Sequence, residues 1–524
     1  MHRCDVQTSP AQLPDDPALL QRMLRELLAE NDKLRLLIER LTRHQFGRRS
    51  EQLPAEQLLF GLEDLEQTQA EAQAAQDAAA ATDNRKPAPR AARPARNLGA
   101  LPAHLPRYEV VIDCEHDACP CCGGALHSIG ELRTEQLDIV PVQLRVRVTR
   151  RPRYGCRACE GAVVMAEAPP RPIDGGLPTE ALIVHVVVSK FCDSLPLYRQ
   201  SQMLARQGVT LDRSTLSQWV GAACWWLTPL YDLVVSTVLS SDKVFADDTT
   251  LPVLDPGRGR TKTGRLWCYA VDDRPWRGPS HPAAAYIYTE DRKSARPAEH
   301  LAGFGGVLQV DGYNGFKRLA GDRADHSVRL AFCWAHMRRE FFQFHASTKS
   351  PLAAELLARV AELYAIESEI RGHPAEHRRQ VRQERSRPIV EGLHAWLHHN
   401  VGRVPGASDL AKAMRYAIRH WPGLIVFLDD GRVEMDTNVV ERAIRPHTLT
   451  RKNALFAGSD GGARHWAMAM TLIQTAKLNG VDPMAWLTDV LERIVSGRTK
   501  AHELKTLLPW NWLPPANCTM AQAA

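Results

Sequence analysis

The sequence predicts a multidomain α/β protein, and three observations carry that prediction. A chain of 524 residues is too long for one hydrophobic core. Hydrophobic residues make up 44% and charged residues 24%, the balance of an ordinary globular protein with material for a full-sized core. The pattern then changes along the chain, from leucine heptads through an Ala/Pro/Arg stretch and paired cysteines to strand-like runs and long helical periods. The formal net charge of +6 suits a polyanionic partner without proving one. The opening MHRCDVQTSPAQLPDD lacks the apolar run of a secretory signal, and ALIVHVVV from Ala181 stops at Ser189-Lys190, too soon to span a bilayer. A cytoplasmic protein with no membrane partner is expected.

In residues 15–66, Leu20, Leu24, Leu27, Asn31, Leu34, Ile38 and Leu41 step by four and three. This is a heptad seam with Asn31 at an a position, where a buried amide fixes register, and it predicts an N-terminal coiled-coil helix that joins copies of the chain. A helix packed within its own domain fits the same spacing. HQFGRRSEQL closes the segment with Arg48 and Arg49, a solvated turn or a phosphate contact. Residues 67–104, Ala/Gln-rich and then Pro/Arg-rich, read as a linker.

Residues 105–170 carry Cys119 and Cys122, then Cys156 and Cys159, as two Cys-x-x-Cys pairs separated by alternating, strand-like sequence. Four thiolates from two such pairs suit tetrahedral Zn²⁺, so a zinc-ribbon module with a long hairpin insert is predicted. Cys114 and Cys121 are spare thiols, and Cys121 could replace Cys122 in another register. Arg145, Arg147, Arg150, Arg151 and Arg153 make the module basic and favour nucleic acid as its partner, with Arg150, Arg151 and Arg153 as candidate DNA contacts. Residues 178–238 read as helical. A helix to about Gln207, a turn at Gly208 and a second helix from Asp212 give helix-turn-helix spacing, with Ser214, Ser217 and Gln218 where base edges would be read. Two helices packed without DNA are equally compatible.

From Lys243 the pattern turns to strands: KVFADDTTLPVL, GRLWCYAVDD and AAAYIYTEDR form an antiparallel meander, then come helix SARPAEHLAGF, strand GVLQVD, strand VRLAFCW and helix AHMRREFFQF. That order is the order of a ribonuclease-H-like core, assigned to residues 239–346 and 431–480, with a helical insertion over 347–430 and a tail over 481–524. On it, Asp247 ends the apolar run of the first strand and Asp311 that of the fourth, as neighbours in the sheet. A lone Asp-Gly would otherwise be a turn that caps its own backbone. Near the C-terminus, DTNVVERAIRPHTLTRKN predicts a helix capped by Asp436 and Thr437 and stopped by Pro446, with Glu441 on one face with Asn438 and Arg445. Asp247, Asp311 and Glu441 would form a carboxylate cluster that repels itself unless cations neutralise it. Mg²⁺ or Mn²⁺ would do so through oxygen ligands and support phosphoryl transfer on a nucleic-acid backbone. His336 and Arg338 follow the last core strand, either near substrate or as a core His and a solvated Arg. Arg442, Arg445, Arg451 and Lys452 flank Glu441 as a phosphate track.

Several stretches, VFADDTTLPVLDPGRGRTKTGRLWCYAVDDRPW, LQVDGYNGF, CWAHMRREFF, NVVERAIRPHTLTRKNALFAGSDGG and AKLNGVDPMAWLTDVL, resemble the large transposase of the insertion-sequence-66 family over nearly the whole chain. The resemblance implies a DDE transposase that cleaves a DNA strand at the element end and joins the freed 3′-hydroxyl to target DNA. It implies Asp247, Asp311 and Glu441 as the metal-binding catalytic acids, and element-end inverted repeats, target DNA and accessory proteins of the same element as partners. The family's Asp-Glu-Thr is here Asp247-Asp248-Thr249, which leaves Asp248 a competitor for the first position. Two other readings stand beside it: a catalytically inactive zinc-ribbon DNA-binding protein or repressor derived from such an enzyme, and a nuclease without strand joining.

Overall fold

The computed structural model describes residues 167–514 apart from 256 and 323–326, together with 144, 146–151, 153–155 and 163–165. The predicted coiled coil, Arg48, Arg49, the linker, Cys119, Cys122, Cys156 and Cys159 lie outside the described residues. The second cysteine pair is bracketed in sequence by a short antiparallel hairpin, β1 (Arg153–Gly155) with β2 (Val163–Met165).

A five-stranded mixed sheet is the centre of the fold, in the order β5-β4-β3-β6-β7. The strands β3 (Lys243–Asp255), β4 (Arg260–Val271) and β5 (Ala283–Thr289) pair antiparallel. After them β6 (Gly306–Val310) pairs parallel to β3, and β7 (Val328–Phe332) parallel to β6. Short helices α4 (Ala295–His300) and α5 (Asn314–Asp322) supply the crossovers. Both faces are apolar, and period-two alternation sorts their residues. Phe245, Leu266, Cys268, Ala284 and Tyr286 face one core, and Val244, Ala246, Trp267, Tyr269 and Ala285 the other.

The first face is covered by α1 (Glu180–Phe191), α3 (Arg213–Leu239), α12 (Asn438–Ala454), α13 (Asp460–Leu478) and α14 (Pro483–Val495). Between α1 and α3 runs α2 (Leu197–Arg206), and Gly208, at φ +80°, makes the turn that a side chain would strain. By length and composition, α3 is the one described helix long and apolar enough to cross a membrane. Its Leu216, Trp219, Val220, Leu227 and Leu230 are buried against the sheet helices. The expected C-terminal tail is also part of this core: Trp486, Leu487, Val490, Leu507 and Leu508 are buried, and Trp486 Nε1 donates to Leu507 O at 2.8 Å.

The insertion is helical, through α6 (Trp334–Thr348), α7 (Pro351–Ile370), α8 (Ala375–Val381), a π turn (Arg382–Ser386), α9 (Arg387–Val401), α10 (Asp409–Leu424) and α11 (Val426–Asp429). It has its own core, including Leu356, Leu363, Leu393, Leu397 and Met414, which reaches the sheet at Val307 and Ala331.

Pro446 does not stop α12, contrary to the sequence expectation. The helix continues to Ala454 because Val440, Ala443, Ile444, His447 and Thr450 bury one flank, and that packing outweighs the missing backbone N–H. His447 is fully buried, and burial, then the Arg451 charge, lowers its pKa to about 3. The folded chain therefore refuses a proton that the unfolded chain binds below its ordinary value of about 6.5. This stability is complete above that value and is lost as pH falls toward 3, on the order of 3–5 kcal/mol. A His447→Gln variant should lose that part of the acid slope in urea midpoints; an unchanged slope would contradict the assignment.

Candidate active site

Alternation along β3 separates the two adjacent acids. Asp247 shares the face of Phe245, toward α12, whereas Asp248 shares the face of Val244 and Ala246. There Asp248 is bound by Arg265 at 3.2 Å and Arg292 at 2.8 Å, with only 1% of its side chain exposed. Strands β3 and β6 are in register from Lys243↔Val307 to Phe245↔Gln309, and two residues further on Asp247 stands level with Asp311. The β3–β6 pairing ends at Phe245↔Gln309; β6 stops at Val310, while β3 runs on to Asp255.

Asp311 begins a turn: its Oδ1 accepts from Tyr313 N at 3.0 Å, and its carbonyl accepts from Tyr416 Oη at 3.0 Å. At Gly312, φ is +107° and an added Cβ would lie 3.0 Å from Tyr416 Oη, so glycine is required twice over. The turn-capping role and a place beside Asp247 are thus both present. Lys317, at the end of the first turn of the following helix, contacts His420 Nε2 at 2.6 Å, and Asp311 bears on the titration of both.

Glu441 sits in the first turn of α12, on the face that packs against the sheet. Thr437 Oγ1 donates to Glu441 Oε1 at 3.2 Å, and His336 Nδ1 lies 3.7 Å from the same oxygen. His336 Nδ1 is buried and has no hydrogen-bond partner. Asp247 is held well above the usual carboxylate range, first by burial, then by the charges of Asp311 and Asp248, with Glu441 adding to them and His336 opposing. The sequence-named acids therefore share one electrostatic site. Burial, and then Glu434 and Glu441 against a hydrogen bond from Asn438 N, also raise Asp436 to about 6.

Among the described residues, Cys333, His336 and Glu441 also form a group of potential metal ligands, whose ligand atoms lie within 4.8 Å of one another. It shares only Glu441 with the sequence-named set. Cys333 accepts from Thr437 N at 3.3 Å, and burial followed by the Glu441 and Asp436 charges pushes its thiol up to about 12. Sequence reasoning passed over Cys333, Lys317 and His420, and gave Asp436 only a capping role. The Cys-x-x-His spacing in CWAH was a usable signal, because it puts both side chains at one helix start; the other three carry none.

Of the predicted phosphate contacts, Arg442 and Lys452 are exposed and Arg445 is half-buried. Arg451 is a correction: it is 7% exposed and its guanidinium donates to Thr250 O and, at 2.6 Å, to Thr250 Oγ1. It holds the unpaired edge of β3 instead of facing solvent. Arg338 is half-buried with its guanidinium over the Phe342 ring. Ser214, Ser217 and Gln218 are exposed on the first turns of α3, and Arg150 and Arg151 are exposed as well. Arg153 begins β1.

Residues 175–465, more than half of the chain, match the family described as "Transposase IS66 family". The chain belongs to the IS66 transposase family. Three further matches extend the likeness: residues 116–160 to the zinc-finger binding domain of transposase IS66, 471–510 to the IS66 C-terminal element, and 33–110 to "Transposase C of IS166 homeodomain". Among relatives, uncharacterized protein y4jD of Sinorhizobium fredii is 49% identical over 96% of this chain and 97% of its own length. Uncharacterized protein y4qI of the same organism is 46% identical over 92% and 89%. IS66 membership supports a transposase function acting on DNA, and it implies a divalent metal in the core and zinc in the finger. The 116–160 match contains both cysteine pairs of this IS66 chain.

Proposed function

We propose that the chain is a DDE-type DNA transposase of an insertion sequence, which cleaves a strand at each element end and transfers the 3′-hydroxyl into target DNA. One observation carries the reading: β3 just past its pairing with β6, the end of β6 and the first turn of α12 carry Asp247, Asp311 and Glu441, the last two of which bear on the titration of Asp247, while Arg265 and Arg292 engage Asp248 on the opposite face. Asp247 is accordingly the first acid and Asp248 a positioning residue. The strand order β5-β4-β3-β6-β7, with the first three antiparallel and the last two parallel, supports a ribonuclease-H-like core.

The donor set fits a hard divalent cation. Burial, and then the neighbouring Asp311 and Asp248 charges, raise Asp247, and oxygen ligands match Mg²⁺ or Mn²⁺. Asp247, Asp311 and Glu441 would hold it, and when bound it supplies charge neutralisation and Lewis acidity at a phosphate. Thr437 donates to the Glu441 carboxylate, and His336 lies beside it. Arg442 and Lys452 face solvent on the same helix and suit the DNA backbone. Arg442→Ala should weaken binding to all DNA sequences alike and reduce the log–log salt slope by about 0.9, while an unchanged slope would remove Arg442 from the interface.

In the N-terminal finger, Cys119, Cys122, Cys156 and Cys159 offer the four thiolates that structural Zn²⁺ takes. One zinc per chain is expected by metal analysis. A chain that keeps its fold with no zinc after mild chelation would remove that expectation. The leucine heptads serve homo-oligomer formation in this reading, and companion proteins of the element complete the assembly.

The deciding assay is strand transfer with purified protein, element-end duplex and Mg²⁺. Joined product supports the transposase. Cleavage without joining points to a nuclease, and tight end binding without cleavage, even with companion proteins added, points to the inactive DNA-binding reading.

A further inference from the structure

The β3–β4 pair outgrows the sheet. Only Lys243–Phe245 of β3 pair with β6, and only Arg265–Val271 of β4 pair with β5, yet the two strands stay paired to Asp255↔Arg260. The result is a two-stranded ribbon beyond Thr250↔Arg265, three residues past Asp247, and α12 runs from Glu441 toward the same ribbon. The two meet beyond the helix. Ala457 N donates to Pro252 O at 2.9 Å and Leu254 N donates to Ala457 O at 2.8 Å, so the segment after α12 is stitched to the ribbon edge.

Between helix and stitch lies a strained turn. Leu455 has φ +66° and ψ −50°, and Phe456 N donates to Ala454 O at 2.8 Å. This is a γ-turn of the rare, strained hand, which a leucine adopts only when its surroundings impose it. The turn aims two apolar side chains at solvent: Leu455 is 53% exposed and Phe456 41%. They end an exposed stripe along α12 in which Arg442 and Lys452 supply positive charge and Leu449, 46% exposed, lies between them. The neighbouring acid Asp460 is offset by Lys262 at 2.8 Å and Tyr288 at 2.6 Å.

We propose that Leu455 and Phe456 form an apolar wedge that enters the DNA duplex held along α12 and unstacks one base step. The inference rests on the DNA-transposase reading above and deepens it. Fourteen residues of helix separate Glu441 from Leu455, about 21 Å, or roughly six base pairs of duplex. A basic stripe that follows phosphates and ends in apolar side chains is complementary to a duplex opened at that distance. The wedge therefore favours element ends with a flexible pyrimidine–purine step about six base pairs from the scissile phosphate, where unstacking costs least.

The test uses the full chain with element-end duplexes that carry 2-aminopurine at successive positions, with binding followed separately by anisotropy. A several-fold fluorescence rise at one step near that distance, lost in Phe456→Ala and kept in Phe456→Leu at unchanged affinity, is expected. Both variants alter an exposed side chain, so the fold is not at stake. Tight binding with no position brightening overturns the wedge and leaves the transposase reading standing. Brightening that survives Phe456→Ala and Leu455→Ala also overturns it, as does a Phe456→Ala defect seen only in self-association. Absence of end binding altogether overturns the wedge together with the reading beneath it.

Discussion

Asp311→Asn abolishes strand cleavage, by roughly a thousandfold or more, and leaves end-DNA binding intact; this is the largest effect expected at the candidate site. The substitution is nearly isosteric, and the amide oxygen can still accept from Tyr313 N, so the turn at Gly312 survives. What is lost is one negative charge where β6 meets β3. A divalent cation at such a site contributes several kcal/mol to a phosphoryl-transfer transition state, and each 1.36 kcal/mol is tenfold in rate. Asp248→Asn gives the contrast, because that carboxylate answers to Arg265 and Arg292 on the other face and its loss should act through loosened positioning. Gel assays of cleavage run beside anisotropy separate the outcomes. Retained cleavage in Asp311→Asn removes Asp311 from the chemistry; equal loss in Asp247→Asn and Asp248→Asn, with neither affecting binding, undoes the choice between them.

The second large effect lies in the insertion. Arg382→Ala should destabilise the protein by about 3–5 kcal/mol, the usual cost of leaving a buried charge without its partner. Arg382 is 0% exposed. It engages Glu367 through two contacts of 2.7 Å and donates to Phe427 O at 2.8 Å and Asp430 O at 3.1 Å. It opens the π turn, where the wider helical step changes the direction of the side chains that follow. Arg378, 1% exposed, continues the network to Glu367 at 3.3 Å and Glu434 at 2.8 Å. Glu434 exchanges backbone hydrogen bonds with the Gln309 side chain, two residues before Asp311. The network therefore ties the insertion to the strand that carries the second acid. Lysine should not rescue position 382, since an ammonium lacks the planar fork that meets a carboxylate and two carbonyls together. Arg379→Ala, whose partner Glu376 is on the surface, should leave the urea midpoint where it is. Equal midpoints for Arg382→Ala and Arg379→Ala would refute the network's importance.

Period-two alternation and apolar runs made the strands legible, and with them Asp311 just after β6; Asp247 ends an apolar run but lies inside β3, which continues to Asp255. Helical period and charge spacing likewise put Glu441 on one face with Arg445. Residue type alone misled at three points. Pro446 reads as a stop and Arg451 as a phosphate contact, but the flank of α12 is buried on β3, so packing carries the helix past the proline and turns the arginine inward to Thr250. Residues after 481 read as a tail because Trp486 and Leu487 are close in sequence only to one another; their partners in α1 and α3 are hundreds of positions away.

The sequence by itself determined the family and the succession of strands along the chain, because local period and long motifs are written in consecutive residues. Only the tertiary structure decided that Asp248 is bound by Arg265 and Arg292, that His336 and Thr437 lie against Glu441, that Arg382 is buried, and that Leu455 and Phe456 stand exposed on a strained turn. Each of these depends on which side chains from distant segments share a volume from which water is excluded, and spacing along one chain does not encode that.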